Sequence, residues 1–232
     1  MASGSLIRPV SAGDRIAIIS PHLDDAVLSC GNLLGAHRDS VVVTLFSGMP
    51  PPDTPLTEWD RLCGFADCEE AMQARHHENE AALALLGARS LNLGLLDGQY
   101  AVAEDAAQLA GALARALAGL DVASVFMPLG LFHPDHVRAS EACLAAWPLF
   151  DQYGWFAYSD ALYRRRPGVL QQRLADLRAR RIYATPIFLP QGCPVQKTRA
   201  VAAYASQLAA LDLAPGQGDD AAAEGYWHFE TK

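Results

Sequence analysis

The sequence predicts an α/β fold: a Rossmann-like, doubly wound, mostly parallel sheet with helices on both faces and a smaller strand-and-helix extension at the C-terminal end. Three observations carry that expectation. Apolar runs alternate with helix-like stretches in the order βαβαβαβα. Those runs are apolar at consecutive rather than alternate positions, as in strands covered on both faces. A length of 232 residues, 51% hydrophobic and 19% charged, suits one well-buried domain, 1–232, with no bias toward disorder.

Each element follows from its residues. "RIAIIS" reads as the first buried strand, and a helix is expected from Asp25 to about His37. "SVVVTLFSG" is a second strand, rich in β-branched residues. The prolines of "GMPPPDTPL" forbid regular structure, and Thr54 followed by Pro55 suits an N-cap and first helical position. From there an interrupted helical stretch runs through "LTEWDRLCGFADCEEAMQARHHENEAALALLGA", with Gly87 as its stop. "SLNLGL" is the third strand, "AEDAAQLAGALARALAGL" an Ala-rich helix, "ASVFMPLG" the fourth strand and "VRASEACLAAW" the helix after it. Beyond Trp147 the pattern loosens: "YSDALY" and "RRIYATPIFLP" are read as further strands flanking the amphipathic helix "PGVLQQRLADLRA". "PVQKTRAVAAYASQLAAL" predicts a terminal helix, and "PGQGDDAAAEGYWHFETK" a polar turn and tail.

The formal charge of −8 argues against a nucleic-acid surface, where Lys and Arg clusters supply most of the affinity. The one basic run, Arg164 to Arg166, is read as a solvated loop. "MASGSLIRP" lacks the apolar core of a signal peptide, and nowhere do 18 uncharged apolar residues follow one another, so the expected setting is cytoplasmic, with no membrane partner. Five cysteines suggest reduced thiols, with Cys30 and Cys143 as small hydrophobes and Cys63 and Cys68 as plain thiols rather than metal ligands. Self-association into a homo-oligomer stays open.

The chemistry concentrates at two strand ends. The first strand delivers "HLDD", His22 to Asp25, and the fourth leads to "HPDH", His133 to His136. Neighbouring strands across the switch point of such a sheet bring His22, Asp24, Asp25, His133 and His136 together. Imidazole and carboxylate ligands without thiolate suit zinc, with iron(II) or another divalent metal as the alternative, three protein ligands leaving a position for water. Of two adjacent aspartates at a strand-to-helix turn, one can bind the metal while the other faces the water it activates. No Gly-x-Gly-x-x-Gly turn follows the first strand and no Gly-x-Ser-x-Gly elbow occurs, which disfavours a dehydrogenase and a serine hydrolase.

These residues resemble the PIG-L/LmbE family of zinc-dependent N-acetyl-sugar deacetylases, whose first strand typically ends in a His-Pro-Asp-Asp-Glu-like motif and whose later strand leads to His-x-Asp-His. The resemblance runs from about Arg15 to Gln207, with Leu23 in place of the usual Pro and Ala26 in place of the usual Glu. It implies His22, Asp25 and His136 as metal ligands, Asp24 as general base, and His133 as a second acid or electrostatic group. Arg75, three residues before Glu78, and Asp97 in "LLDGQY" are similar to the family's substrate-side residues, and Trp59 and Asp60 are expected to help shape the sugar pocket, with "SGMPPPDTPLTEW" as a mobile wall or lid. Lys197, Tyr204 and Gln207 match a family helix read as scaffold. The implied activity is removal of the N-acetyl group from a small-molecule aminosugar or its conjugate. The alternatives are a metal amidase acting on a larger acyl group or thiol conjugate, and a noncatalytic sugar-binding module of the same fold.

Overall fold

The computed structural model describes residues 10, 11, 13–100, 105–189, 192–211 and 223–231. A single seven-stranded sheet runs through the molecule. Its strands are β1 (Ile16–Ser20), β2 (Val41–Phe46), β3 (Arg89–Leu95), β4 (Ser124–Pro128), β5 (Gly154–Tyr158), β6 (Ile182–Ile187) and β7 (Tyr226–Thr231), in the spatial order β3-β2-β1-β4-β5-β7-β6. The first five strands in that order are parallel, whereas β7 runs antiparallel to both β5 and β6. Helices α1 (Asp25–Ala36), α2 (Glu58–Leu62), α3 (Cys68–Leu86), α4 (Ala106–Ala118), α5 (Pro134–Ala146), α6 (Val169–Ala179), α7 (Pro194–Val201) and α8 (Ala205–Ala210), with a short 3-10 helix at Trp147–Leu149, complete the described elements. None of the described helices is long and apolar enough to cross a membrane.

The two-residue period of a strand divides the core into two halves. Ala17, Ile19, Val43, Val125 and Met127 point to the face covered by α4, α5 and α6, where Leu113, Cys143 and Leu177 meet them. Ile16, Ile18, Val42 and Phe126 point to the opposite face, against Val27 and Leu33 of α1, Leu83 of α3, Val201 of α7 and Leu208 of α8. Both faces are covered, so the central strands read as unbroken apolar runs. The edge strand β3 carries four exposed residues.

Four sequence expectations need correction. The helix after the proline loop is capped by Thr57, whose side chain accepts the Asp60 N–H; Thr54 instead donates its hydroxyl to the Pro51 carbonyl in a turn. The segment "YSDALY" is not a strand: β5 ends at Tyr158, and residues 160–165 form turns. The C-terminal helix is two, α7 and α8, broken at residues 202–204. The expected polar tail ends in β7, which inserts between β5 and β6 and buries Tyr226, Trp227 and Phe229. Residues 215–222 of that tail lie outside the described residues.

Candidate metal centre and substrate cavity

The site is assembled at the carboxyl ends of three adjacent strands, β1, β4 and β5. After β1 the chain turns through Pro21 to Asp24. The Ser20 hydroxyl pins this turn by donating to the His22 carbonyl (2.6 Å) and accepting the Ala26 N–H (3.0 Å). Ala26 is itself in the core, 2% exposed, so the place of the family's usual Glu is filled by packing. After β4 the loop turns sharply, with Gly130 at φ 81° and Phe132 at φ 63°. A Cβ on Gly130 would lie 2.7 Å from that of Ser140, so both space and backbone conformation call for glycine there. His133 caps α5, its Nδ1 accepting the Asp135 N–H at 3.2 Å.

The Asp25 Oδ2 atom lies between the two histidines, 3.1 Å from His22 Nδ1 and 3.2 Å from His136 Nε2. Donor atoms of these three residues all fall within 4.8 Å of one another. Each imidazole is backed on its other nitrogen by a carboxylate. His136 Nδ1 is 2.6 Å from Asp160 Oδ1, and His22 Nε2 is 3.4 Å from Asp135 Oδ2 and 3.7 Å from Asp97 Oδ2. This arrangement turns one nitrogen of each ring toward the shared point, as metal-ligating histidines require. Asp160 is fully buried, and its other oxygen accepts the N–H groups of Gly130 and Leu131, each at 3.1 Å. Asp135 is held by the Arg138 guanidinium (2.7 Å) and the Gly98 N–H (3.2 Å).

Without a cation, the electrostatics express the convergence of charge. Burial works against ionisation of Asp25, yet the two histidines hold its carboxyl well below the ordinary range. Burial would lower His136, but Asp25 and Asp160 carry it up to about 9. His22 is likewise raised against its burial by Asp135 and Asp25. Asp24 is pushed up to about 7, first by burial and then by the neighbouring Asp25 charge. Its side chain makes no capping bond although it occupies the N-cap position of α1. His133 is lowered by burial and by the two histidines beside it. Two imidazoles and a carboxylate with no thiolate fit a divalent metal of the zinc or iron(II) type.

These groups open into a cavity of about 510 Å³, lined by Asp24, Asp25 and the three histidines and walled by Phe46, Trp59, Met72, Arg75, Asp97, Tyr163 and Gln207, among others. Trp59, Arg75 and Asp97, expected on the substrate side, are therefore part of its wall. Asp60 is placed differently. It is fully buried behind Arg75, accepting from Arg75 Nη2 (2.6 Å) and from the Tyr100 hydroxyl (2.9 Å), so it supports the wall rather than forming it. The sequence reading missed Asp160, Tyr163 and Tyr100, and assigned Gln207 to scaffold. The available signal for Asp160 was its place just past the apolar run "WFAY", the same position relative to a strand that "HLDD" occupies.

A two-histidine, one-carboxylate cluster at the carboxyl edge of a doubly wound sheet, opening into a walled cavity, marks a candidate metal site in an α/β protein. The chain belongs to the PIG-L family, described as GlcNAc-PI de-N-acetylase, which it matches over residues 17–147. Among solved structures it is similar to the A40926 pseudoaglycone deacetylase, with 24% identity and a TM-score of 0.73 over 94% of this chain and 98% of that one. It is also similar to the zinc-inhibited form of a teicoplanin deacetylase, with 20% identity and a TM-score of 0.75 over the same shares. A 4-carboxy-2-hydroxymuconate hydratase from Pseudomonas putida shares the fold at 16% identity and a TM-score of 0.55, over 86% of this chain and 82% of that one. No curated protein matches the sequence.

Proposed function

We propose that this protein is a metal-dependent N-deacetylase that hydrolyses the acetamide of an aminosugar conjugate. Family membership and the two deacetylase neighbours support this reading, while the hydratase neighbour means that the fold alone does not assign it. The observation that carries it is Asp24: an aspartate at a helix N-cap ordinarily spends its carboxylate on the N–H of the second or third helical residue, and this one makes no such capping bond. It lines the cavity beside the donor trio instead.

His22, Asp25 and His136 would hold the metal, zinc or iron(II). Such an ion polarises a carbonyl and makes water acidic enough to ionise near neutral pH. Asp135 and Asp160 hold the two rings with their ligating nitrogens turned inward. Asp24 receives the proton of the attacking water and can return one to the leaving nitrogen. Because His133 Nδ1 accepts a backbone N–H, its neutral ring carries the proton on Nε2 and offers it to the oxygen that gains charge in the tetrahedral intermediate. Arg75, Trp59 and Asp97 line the space for the sugar.

The test is acetate release from a panel of N-acetylated aminosugars and their glycosides, comparing zinc-loaded with chelated protein. Metal-dependent release is expected, and Asp24→Asn should bind zinc stoichiometrically while losing turnover. Full activity in that variant refutes the assignment of the base. Silence of the loaded wild type across the panel would favour a larger acyl group or the noncatalytic module.

A further inference from the structure

From the cavity wall a row of rings leads from His133 and His136 to the surface. The Tyr163 ring packs against His136 edge-on at 5.1 Å and near-parallel to His133 at 6.0 Å. On from Tyr163, 5.6 Å away, lies Phe132, and the Arg166 guanidinium sits over the Phe132 ring at 3.8 Å. Phe132 does not line the cavity, and it is 55% exposed.

Two features mark this ring as placed rather than left over. Phe132 adopts left-handed backbone at φ 63°, which a bulky residue rarely does. Its neighbours fix that turn: the Leu131 N–H is taken by Asp160, and His133 caps the next helix. Arg166 is exposed, its guanidinium face is taken by Phe132, and among the described residues no carboxylate pairs with it. A guanidinium stacked by its face keeps its N–H edge free for a planar anion.

Resting on the deacetylase reading, we propose that Phe132, Tyr163 and Arg166 form a shelf at the cavity mouth for the aglycone of the substrate, selecting conjugates in which the aminosugar is linked to an aromatic group bearing a carboxylate. The sugar occupies the cavity, and whatever is glycosidically attached projects past Tyr163 onto Phe132. The aglycone ring stacks on the exposed phenyl, and its carboxylate meets the N–H edge of Arg166.

The experiment compares methyl, phenyl and 4-carboxyphenyl glycosides of N-acetylglucosamine as substrates of the zinc-loaded protein. It also compares the corresponding 2-amino products as ligands in calorimetry, with Phe132→Asn and Arg166→Gln as variants. Asn is chosen because it tolerates the left-handed turn. For the wild type, kcat/KM and product affinity should both favour 4-carboxyphenyl over methyl by about tenfold, with phenyl between them. Arg166→Gln should lose the step from phenyl to carboxyphenyl, and Phe132→Asn should bring the phenyl-to-methyl ratio to about one. Equal treatment of all three by the wild type, or preferences that survive both variants, overturns the shelf. Failure to hydrolyse any of them refutes the deacetylase reading separately, and the product affinities then decide the shelf alone.

Discussion

Replacing Asp160 by Asn tests whether the proposed metal site is organised from behind. The carboxylate accepts three bonds, two from the Gly130 and Leu131 amides at 3.1 Å and one from His136 Nδ1 at 2.6 Å. An amide of the same shape has only one oxygen for these partners. If that oxygen keeps the two backbone amides, the NH₂ faces His136 and demands Nδ1 as an acceptor. The ring proton then moves to Nε2, the atom 3.2 Å from Asp25 that should face the metal. If the oxygen turns to His136 instead, two buried amides confront an NH₂ group. Either way one charge-assisted bond is lost, worth about 1.5–3 kcal/mol, and metal affinity should fall by about 10- to 100-fold. Zinc competition against a chromophoric chelator measures the affinity, and urea unfolding of the metal-free protein measures the fold. Wild-type zinc affinity in a folded Asp160→Asn protein would refute the reasoning.

Two further predictions concern buried ion pairs, one behind the cavity wall and one against α1. Arg75→Met takes the guanidinium from the fully buried Asp60 carboxylate while leaving the Tyr100 hydroxyl, and should cost about 3–5 kcal/mol in urea unfolding, with much of it restored by adding Asp60→Asn. Lys197→Met breaks a 2.7 Å pair with Glu224, whose carboxylate also accepts the Asn32 and Leu33 N–H groups where α1 kinks at Cys30. A loss of about 3–5 kcal/mol is expected by the same measurement. An unchanged midpoint in either variant would show that its charge is solvated rather than buried.

The parts legible in the sequence were those where local pattern and global position agree. "RIAIIS" and "ASVFMPLG" are apolar throughout because helices cover both faces of β1 and β4, and the polar residues that end each run mark the sheet edge. His22, Asp25 and His136 were therefore found together. Asp160 was not, because reading "YSDALY" as extended placed it inside a strand rather than past the end of one. The error has a physical source: Tyr158 is fully buried and its hydroxyl donates to the Ile19 carbonyl at 2.7 Å, so tertiary contacts rather than local propensity decide where β5 stops. β7 escaped for a related reason. Its partners, β5 ending at Tyr158 and β6 ending at Ile187, lie far back in the chain, and the polar, glycine-rich stretch before it masks a short aromatic strand. Asp60 shows a third limit, since spacing along the chain does not say whether a carboxylate lies in front of an arginine or behind it.

The division of labour within the site follows from which segments supply it. His22 comes from the turn after β1, Asp25 from the start of α1 and His136 from the first turn of α5, and parallel pairing at Ile16–Ser124, Ala17–Val125 and Ile18–Phe126 sets β1 beside β4 so that these segments meet. The walls come from elsewhere: Trp59 from the helix after the proline loop, Asp97 from the turn after β3, and Tyr163 from the turns after β5. Loops change shape and residue at lower cost to the core than strands do. On the proposed reading, selection for a new substrate reshapes Trp59, Asp97 and Tyr163 while leaving the donors in place, and a change of chemistry requires altering Asp24 or His133. On the proposed reading the family match over residues 17–147 covers the candidate metal donors, whereas Tyr163 and Arg166 of the proposed shelf lie beyond it.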